Sequence, residues 1–132
     1  MAPRVLVVEN DPDIRELLLF KLGLAGFGVD AVADGHAAWL HLSTHEVPSL
    51  VILDRHMPVM GGIEVLTRIR ADSRLSAVPV LMLSGAAREV DVDEGFTAGA
   101  SDYVTKPFSP REIIRRANVL IARQEALEGA SA

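Results

Sequence analysis

The sequence predicts an α/β fold in three layers, α/β/α, in which five helices cover a doubly wound sheet of five parallel strands. Short apolar runs alternate five times with longer stretches of helical period. Three of the runs are continuously apolar, which a parallel strand covered on both faces requires. Right-handed crossovers between successive strands then place helices on both sides of one sheet.

Five apolar runs are too short for helices and are predicted as strands, mostly bounded by Gly, Pro or Asp. They are Arg4–Glu9, Val29–Ala33, Leu50–Leu53, Val80–Leu83 and Tyr103–Thr105. The first, third and fourth runs contain the continuously apolar stretches. The sheet is therefore predicted to be central and buried.

Apolar residues three and four apart predict a helix after each strand. Four of these helices are marked by the segments Ile14–Leu22, Ala37–His41, Ile63–Arg70 and Ile113–Ile121. Asp11-Pro12 fits an N-cap followed by proline at the first helical position, and Ser109-Pro110 repeats that pattern. The remaining helix, at about Ala87–Ala98, has the least regular pattern because acidic residues and Gly95 interrupt its apolar face.

The composition fits one compact domain. The chain has 132 residues, of which 49% are hydrophobic, and it contains no cysteine for a disulfide or a thiolate metal site. A net charge of -5 disfavours general affinity for nucleic acid or anionic lipid. No apolar run approaches the ~18 residues of a membrane span. We therefore expect a cytoplasmic domain without membrane association. From its acidic charge we also expect no direct nucleic-acid binding.

Polar side chains follow four of the predicted strands. They are Glu9, Asn10 and Asp11 after the first strand, Asp54 after the third, Ser84 after the fourth and Lys106 after the fifth. Ligands of doubly wound sheets bind at the carboxyl ends of the strands, so we expect these side chains to converge. Clustered carboxylates repel each other unless a divalent cation offsets the repulsion. Oxygen ligands favour magnesium, with manganese as a substitute.

Four motifs resemble those of receiver domains in bacterial two-component response regulators. They are Val-Val-Glu-Asn-Asp ending at Asp11, Leu-Asp-Arg-His-Met-Pro-Val-Met-Gly-Gly around Asp54, Leu-Ser-Gly ending at Gly85, and Gly-Ala-Ser-Asp-Tyr-Val-Thr-Lys-Pro-Phe ending at Phe108. The order and spacing of the four motifs argue against a chance match. The resemblance runs from Arg4 to about Arg123. The resemblance implies a flavodoxin-like receiver fold over residues 1–123, with residues 124–132 as a C-terminal tail or a truncated linker.

The resemblance also implies a phosphorylation switch. Asp54 is the implied phosphoacceptor, and Lys106 is expected to pair with the phosphoryl oxygens. Ser84 is expected to hydrogen-bond the phosphoryl group, and Tyr103 is the implied switch residue, which turns inward on phosphorylation. A carboxylate nucleophile needs the charge of the transferring group to be neutralised by metal and cation, which agrees with these roles.

The implied magnesium shell contains one departure from the family pattern. It comprises Glu9, Asp54 and the main-chain carbonyl of His56, with Asn10 at the second acidic position, which is usually Asp. One negative charge is therefore missing, and we expect weaker magnesium binding than in a typical receiver. Asp11 can compensate for that charge, although we interpret it first as a helix cap. An atypical receiver that acts as a phosphorylation-independent interaction module is the alternative.

The implied phosphodonor is a phosphohistidine on a histidine kinase or phosphotransfer protein. The output face is formed by the fourth helix, fifth strand and fifth helix, and it addresses an effector domain or protein. The domain promotes its own phosphorylation and hydrolysis, so we expect a switch and not a turnover enzyme. Receivers joined to winged-helix DNA-binding domains carry opposite charges there for a salt-bridged dimer. This chain has Val90 and Val92, so that form of dimer is not expected; the two valines are core residues or a contact patch.

Two rival functions fit the sequence less well. Aspartyl-phosphate hydrolases usually carry a second carboxylate two residues after the nucleophile, where this chain has His56, whose exposed side chain could instead tune hydrolysis. Flavin- or nucleotide-binding modules need a hydroxyl- or glycine-rich loop after the first strand, where Glu9-Asn10-Asp11 repels phosphate.

Three smaller features complete the sequence analysis. His41 and His45 have zinc-binding spacing but lack a third ligand, so we interpret them as solvated. Gly85 is expected to keep the mouth of the site, where the carboxyl ends of the strands converge, open to the phosphodonor. The Lys106–Pro107 bond is expected to be cis, as is common in the family.

Overall fold

A computed structural model of the chain describes residues 2–85 and 89–131, with strands and helices in strict alternation. The elements are β1 (Arg4–Val8), α1 (Pro12–Leu24), β2 (Gly28–Val32), α2 (Gly35–Thr44), β3 (Leu50–Asp54), α3 (Gly62–Ala71), β4 (Val80–Ser84), α4 (Glu89–Ala98), β5 (Asp102–Thr105) and α5 (Pro110–Ser131). Ala87, where the fourth helix was predicted to begin, lies outside the described residues.

All strand pairs are parallel, and the strands lie in the order β2-β1-β3-β4-β5. The predicted doubly wound five-stranded sheet is confirmed. The chain winds outward in opposite directions from β1 and β3, which places the switch point of the sheet between these two strands. The carboxyl ends of β1 and β3 therefore flank the crevice where a ligand is expected.

Both faces of the sheet are buried. Leu6 and Val8 of β1 pack into the core beneath α2 and α3, whereas Val5 and Val7 pack into the core beneath α1 and α5. Burial on both sides leaves no polar position within the strand, which explains the continuously apolar runs. The strand ends are thereby held rigidly in register.

The packing of helix α4 explains the irregular apolar pattern of its sequence. Gly95 is a buried position, and a Cβ there would lie 2.9 Å from Cε2 of Tyr103, so glycine allows the helix to approach the β5 aromatic ring. Val92 is half-buried against the core, as the core interpretation of that residue expected. The Val90 side chain lies outside the described part of the chain.

Helix α5 runs through the boundary predicted at residue 123 without a break. Residues 124–131 continue its helical path instead of forming a separate irregular segment, and the position where the domain ends remains a prediction. Among the described residues, no helix combines the length and the apolar character needed to cross a bilayer.

The solvated interpretation of His41 is wrong. Its side chain is 15% exposed, with Nε2 lying 3.4 Å from Oδ2 of Asp30. Its ring stacks on that of His45 with centroids 3.9 Å apart. The contact with Asp30 of β2 and the stacked His45 ring leave His41 partly shielded, whereas His45 is exposed as expected.

Val59 has an unfavourable backbone conformation in the loop before α3. Its φ of 68° lies in the left-handed region, which a β-branched residue rarely adopts, and its side chain is 89% exposed. Val59→Gly should therefore stabilise the chain by about 0.5–1 kcal/mol, the strain relieved less the extra freedom of glycine in the unfolded chain. Urea unfolding measures the difference.

Val47→Gly is the matched control, because Val47 is also an exposed loop valine but is not among the non-glycine residues with positive φ. That substitution should leave stability unchanged or lower it. An equal gain from both substitutions would contradict the strain assigned to Val59.

Candidate functional site

The carboxyl ends of β1, β3, β4 and β5 bring the predicted side chains to one edge of the sheet. Glu9 directly follows β1, Asp54 ends β3, Ser84 ends β4 and Lys106 follows β5. The main chain continues the sheet pairing at this edge, because the Lys106 amide donates to the Ser84 carbonyl at 2.7 Å. The loop positions are therefore fixed by backbone hydrogen bonds and not by the side chains alone.

Lys106 connects the two acidic residues of the site. Its Nζ lies 2.9 Å from Oε1 of Glu9 and 3.5 Å from Oδ1 of Asp54. Burial on its own lowers the pKa of Lys106, but the Glu9 hydrogen bond and the charges of Asp54 and Glu9 outweigh burial and hold the pKa above its usual value. Lys106 is therefore a cation at neutral pH.

Glu9 is fully buried, and one of its oxygens lacks a protein partner. Oε1 accepts from Lys106 and from the Asp11 amide at 3.3 Å. Oε2 is buried and has no hydrogen-bond partner within the described residues. Burial raises the pKa of Glu9, and the Asp54 charge adds to that effect, while the Lys106 hydrogen bond opposes it. A buried carboxylate with an unsatisfied oxygen is suited to bind a hard divalent cation, for which carboxylate oxygens are preferred ligands.

Asp54 is 3% exposed and keeps contacts on its Oδ1 atom. Besides Lys106, that oxygen accepts from the His56 amide at 3.2 Å. The His56 side chain is exposed, and its role in tuning hydrolysis remains a prediction. The carboxylate thus lies just below the surface, with a cation and an amide on one oxygen.

The residues after Glu9 divide into a helix cap and an exposed amide. Asp11 caps α1, with Oδ1 accepting from the amides of Asp13 at 2.9 Å and Ile14 at 3.4 Å, which confirms its predicted capping role. Asn10 is exposed at the mouth. Within the described ranges, no three His, Asp or Glu side chains group as a metal cage. A cation held here would also need carbonyl, amide or water ligands.

Ser84 and Tyr103, the two predicted switch residues, are both buried. Ser84 is fully buried, and Tyr103 is 8% exposed, so the Tyr103 ring is already directed inward in this structure. That ring packs against α4 at Gly95, and its centroid lies 6.4 Å from that of Phe96. The ring is therefore in contact with the helix of the predicted output face.

Two backbone features at the mouth were predicted. The Lys106–Pro107 bond is cis, which confirms the expectation. Gly85 is exposed, and a Cβ there would meet no atom of the described residues within 4 Å, so their packing does not require glycine. Its role in phosphodonor access remains a prediction.

Two residues that position the site do not stand out in the sequence. Arg15 donates from Nη1 to the Glu9 carbonyl at 3.0 Å and so ties α1 to the loop carrying Glu9. Gly62 brings α3 against the end of β3, because a Cβ there would lie 2.4 Å from the Asp54 carbonyl oxygen. Neither contact follows from a motif or a hydrophobic period, although Gly62 belongs to the recognised Gly-Gly pair after Met60.

The chain is similar to known proteins along most of its length. Residues 5–118 match a family model described as the response regulator receiver domain. The chain is 41% identical over 125 residues to the DNA-binding response regulator MtrA of Mycolicibacterium smegmatis, covering 95% of this chain and 53% of that protein. It is 36% identical over 129 residues to the DNA-binding dual master transcriptional regulator RpaA of Synechocystis, covering 98% and 53%.

A solved structure shows the same architecture. The receiver domain of the Francisella response regulator 1452 is 32% identical with a TM-score of 0.85, over 92% of this chain and 98% of that one. The chain spans about half the length of the curated relatives it matches.

The close approach at Gly62 gives a stability test of the site. Gly62→Ala should destabilise the chain by about 2 kcal/mol or more, because the added methyl overlaps a backbone oxygen that cannot move independently. Gly61→Ala is the control, since its Cβ would lie 3.5 Å from the nearest atom, the Arg55 carbonyl oxygen. Chemical denaturation of both variants measures the difference, and equal stabilities would contradict the assigned contact.

Proposed function

The chain belongs to the family of response regulator receiver domains, and from that membership we propose that it is a phosphorylation switch whose phosphoacceptor is Asp54. The contact of one Lys106 ammonium with both Glu9 and Asp54 is the observation that supports this most directly. It supports a site in which Asp54 would act as the nucleophile, Lys106 as the fixed cation and Glu9 as a second acidic ligand.

Phosphoryl transfer at this mouth requires charge neutralisation and alignment more than covalent assistance. An Asp54 carboxylate oxygen attacks the phosphorus of a phosphohistidine; a P–O bond forms as the P–N bond to the imidazole breaks. Lys106 stays within reach of the phosphoryl oxygens and offsets part of their charge. Hydrolysis by water reverses the modification and releases inorganic phosphate.

Magnesium is the proposed cofactor, with manganese as a substitute. Glu9, Asp54, the His56 carbonyl and the Asn10 amide oxygen are the residues that would hold it. When bound, the metal neutralises and aligns the phosphoryl group. The unpartnered Glu9 oxygen supports a cation at this position, whereas the uncharged Asn10 side chain favours modest affinity.

The proposed output surface is the face formed by α4, β5 and α5. Ser84 moves toward the acyl phosphate, and the Tyr103 ring adjusts with it, which shifts the population of α4 positions. The packing of Tyr103 against Gly95 of α4 supports this connection. The Tyr103 ring is buried in this structure, and the inward position is the one proposed for the phosphorylated chain.

The proposed partners are a histidine kinase or phosphotransfer protein upstream and an effector domain or protein downstream. The greater length of the curated relatives, two of which are named as DNA-binding, supports an effector partner. Arg116 already pairs within the chain with Asp102 at 2.8 Å and Glu112 at 3.1 Å, which supports the expectation that a salt-bridged dimer is not the main assembly.

A phosphorylation-independent interaction module remains the second candidate. The exposed amide of Asn10 in place of a carboxylate is the observation that favours it. In that case the chain would keep its partners without gaining a phosphoryl group.

The phosphoacceptor is tested by incubation with acetyl phosphate and magnesium, followed by intact mass spectrometry. Wild type should gain the mass of one phosphoryl group, and Asp54→Ala should gain none, because the nucleophile is gone. Asp93→Asn, which removes an exposed carboxylate of α4, should behave as wild type. Modification of Asp54→Ala, or an unmodified wild type, would exclude Asp54 as the acceptor under these conditions.

Asn10 is tested by magnesium titration calorimetry. Asn10→Asp should tighten magnesium binding roughly tenfold, equivalent to about 1.4 kcal/mol, because it restores an anionic ligand. Asn118→Asp adds the same charge on the exposed side of α5 and should leave the affinity unchanged. Equal affinities of wild type and Asn10→Asp would refute the assigned weakness of this site.

A further inference from the structure

Arg55, the residue after the proposed phosphoacceptor, contacts α4 through a largely buried side chain. Its Nη2 lies 2.7 Å from Oε1 of Glu94 and 4.0 Å from Oδ1 of Asp91, and its Nη1 donates to the Asp91 carbonyl at 2.8 Å. The Arg55 side chain is only 8% exposed. A guanidinium held by two hydrogen-bond acceptors of one helix, with a third oxygen at ion-pair distance, is a structural connection and not a solvated charge.

The main chain of Arg55 is fixed on the other side of this connection. Its amide donates to the Leu83 carbonyl of β4 at 2.8 Å, and its carbonyl accepts from the Gly62 amide of α3 at 2.9 Å. The backbone next to Asp54 therefore cannot shift freely. A contact made by the Arg55 side chain consequently holds α4 to a rigid point at the end of β3.

Helix α4 has acidic residues that match this cation. Asp91, Asp93 and Glu94 lie within two turns, and the Asp91 side chain is 14% exposed. Arg55 offsets the charge of two of these carboxylates, while Asp93 is exposed. Glu94 is 57% exposed, so its ion pair with Arg55 is moderate in strength and can break without unfolding the helix.

We propose that Arg55 is a positioning residue that latches α4 to the end of β3 in the unphosphorylated chain and thereby weakens phosphoryl binding at Asp54. The coupling rests on the proposed function, in which phosphorylation shifts α4. A contact of 2.7 Å is lost once its atoms separate beyond about 3.5 Å, so the shift works against the latch. By linkage, releasing the latch strengthens binding of the phosphoryl group to the same extent.

Amide hydrogen exchange of the unliganded chain tests the latch itself. Glu94→Ala removes an Arg55 partner. Asp93→Ala removes the same charge from the preceding residue of the helix and leaves the contacts of Arg55 with Asp91 and Glu94 intact. Exchange in α4 should be about threefold faster in Glu94→Ala, consistent with a partly exposed ion pair, and unchanged in Asp93→Ala. Equal exchange in the two variants would overturn the latch.

Titration with beryllium fluoride, a phosphoryl mimic, in the presence of magnesium tests the coupling. Glu94→Ala should bind the probe about threefold more tightly than wild type, whereas Asp93→Ala should not. In an Arg55→Met background, Glu94→Ala should have no further effect, because the latch is already absent. The same tightening in both backgrounds would assign the effect to long-range charge and overturn the proposal.

The two measurements separate the latch from the proposed function. A wild-type chain that binds no beryllium fluoride would overturn the phosphoacceptor proposal and the coupling with it. The exchange comparison would still decide whether Arg55 holds α4. Tight probe binding combined with identical affinities in wild type and Glu94→Ala would overturn the coupling and leave the phosphoacceptor proposal standing.

Discussion

The contact of the Lys106 ammonium with two buried carboxylates is the constraint on which this end of the molecule depends. Without it, Glu9 and Asp54 would be two like charges with almost no solvent contact, an arrangement that costs several kcal/mol for each ion. Lys106 follows β5, whereas Glu9 follows β1, and β3 and β4 lie between these strands. The long flexible stem of lysine is what allows one cation to cross that distance.

Such a contact requires strand ends that do not move relative to each other. The apolar packing on both faces of the sheet supplies this rigidity, because a shift of one residue in a parallel strand would exchange its two buried faces. The loops are then fixed individually. Arg15 holds the carbonyl of Glu9, and the glycine at position 62 lets α3 close directly over the carbonyl of Asp54. The site is therefore assembled by the scaffold before any ligand binds.

The sequence was sufficient to predict the sheet, the crevice and the residues at its mouth. Continuously apolar runs identify buried parallel strands, and the residues that follow such strands converge for topological reasons. The contacts of Arg55 were not predictable in this way, because Glu94 lies 39 residues further along the chain and no period or motif relates the two. Gly95 is a related case: it looked like an interruption of α4, yet a Cβ at this position would lie 2.9 Å from the Tyr103 ring. His41 was misjudged because its shielding depends on Asp30 of a neighbouring strand.

Two consecutive residues of β3 and its following loop face different parts of the molecule. Asp54 contacts Lys106 after β5, while Arg55 contacts α4. The Arg55 amide donates to the Leu83 carbonyl, and the Arg55 carbonyl accepts from the Gly62 amide. Both of these side-chain contacts lie on the α4 and β5 side of the sheet. Since the intervening backbone is fixed, the side-chain contacts are the parts that can adjust. In this chain α4 thus contacts an ion pair beside the site as well as the ring of Tyr103.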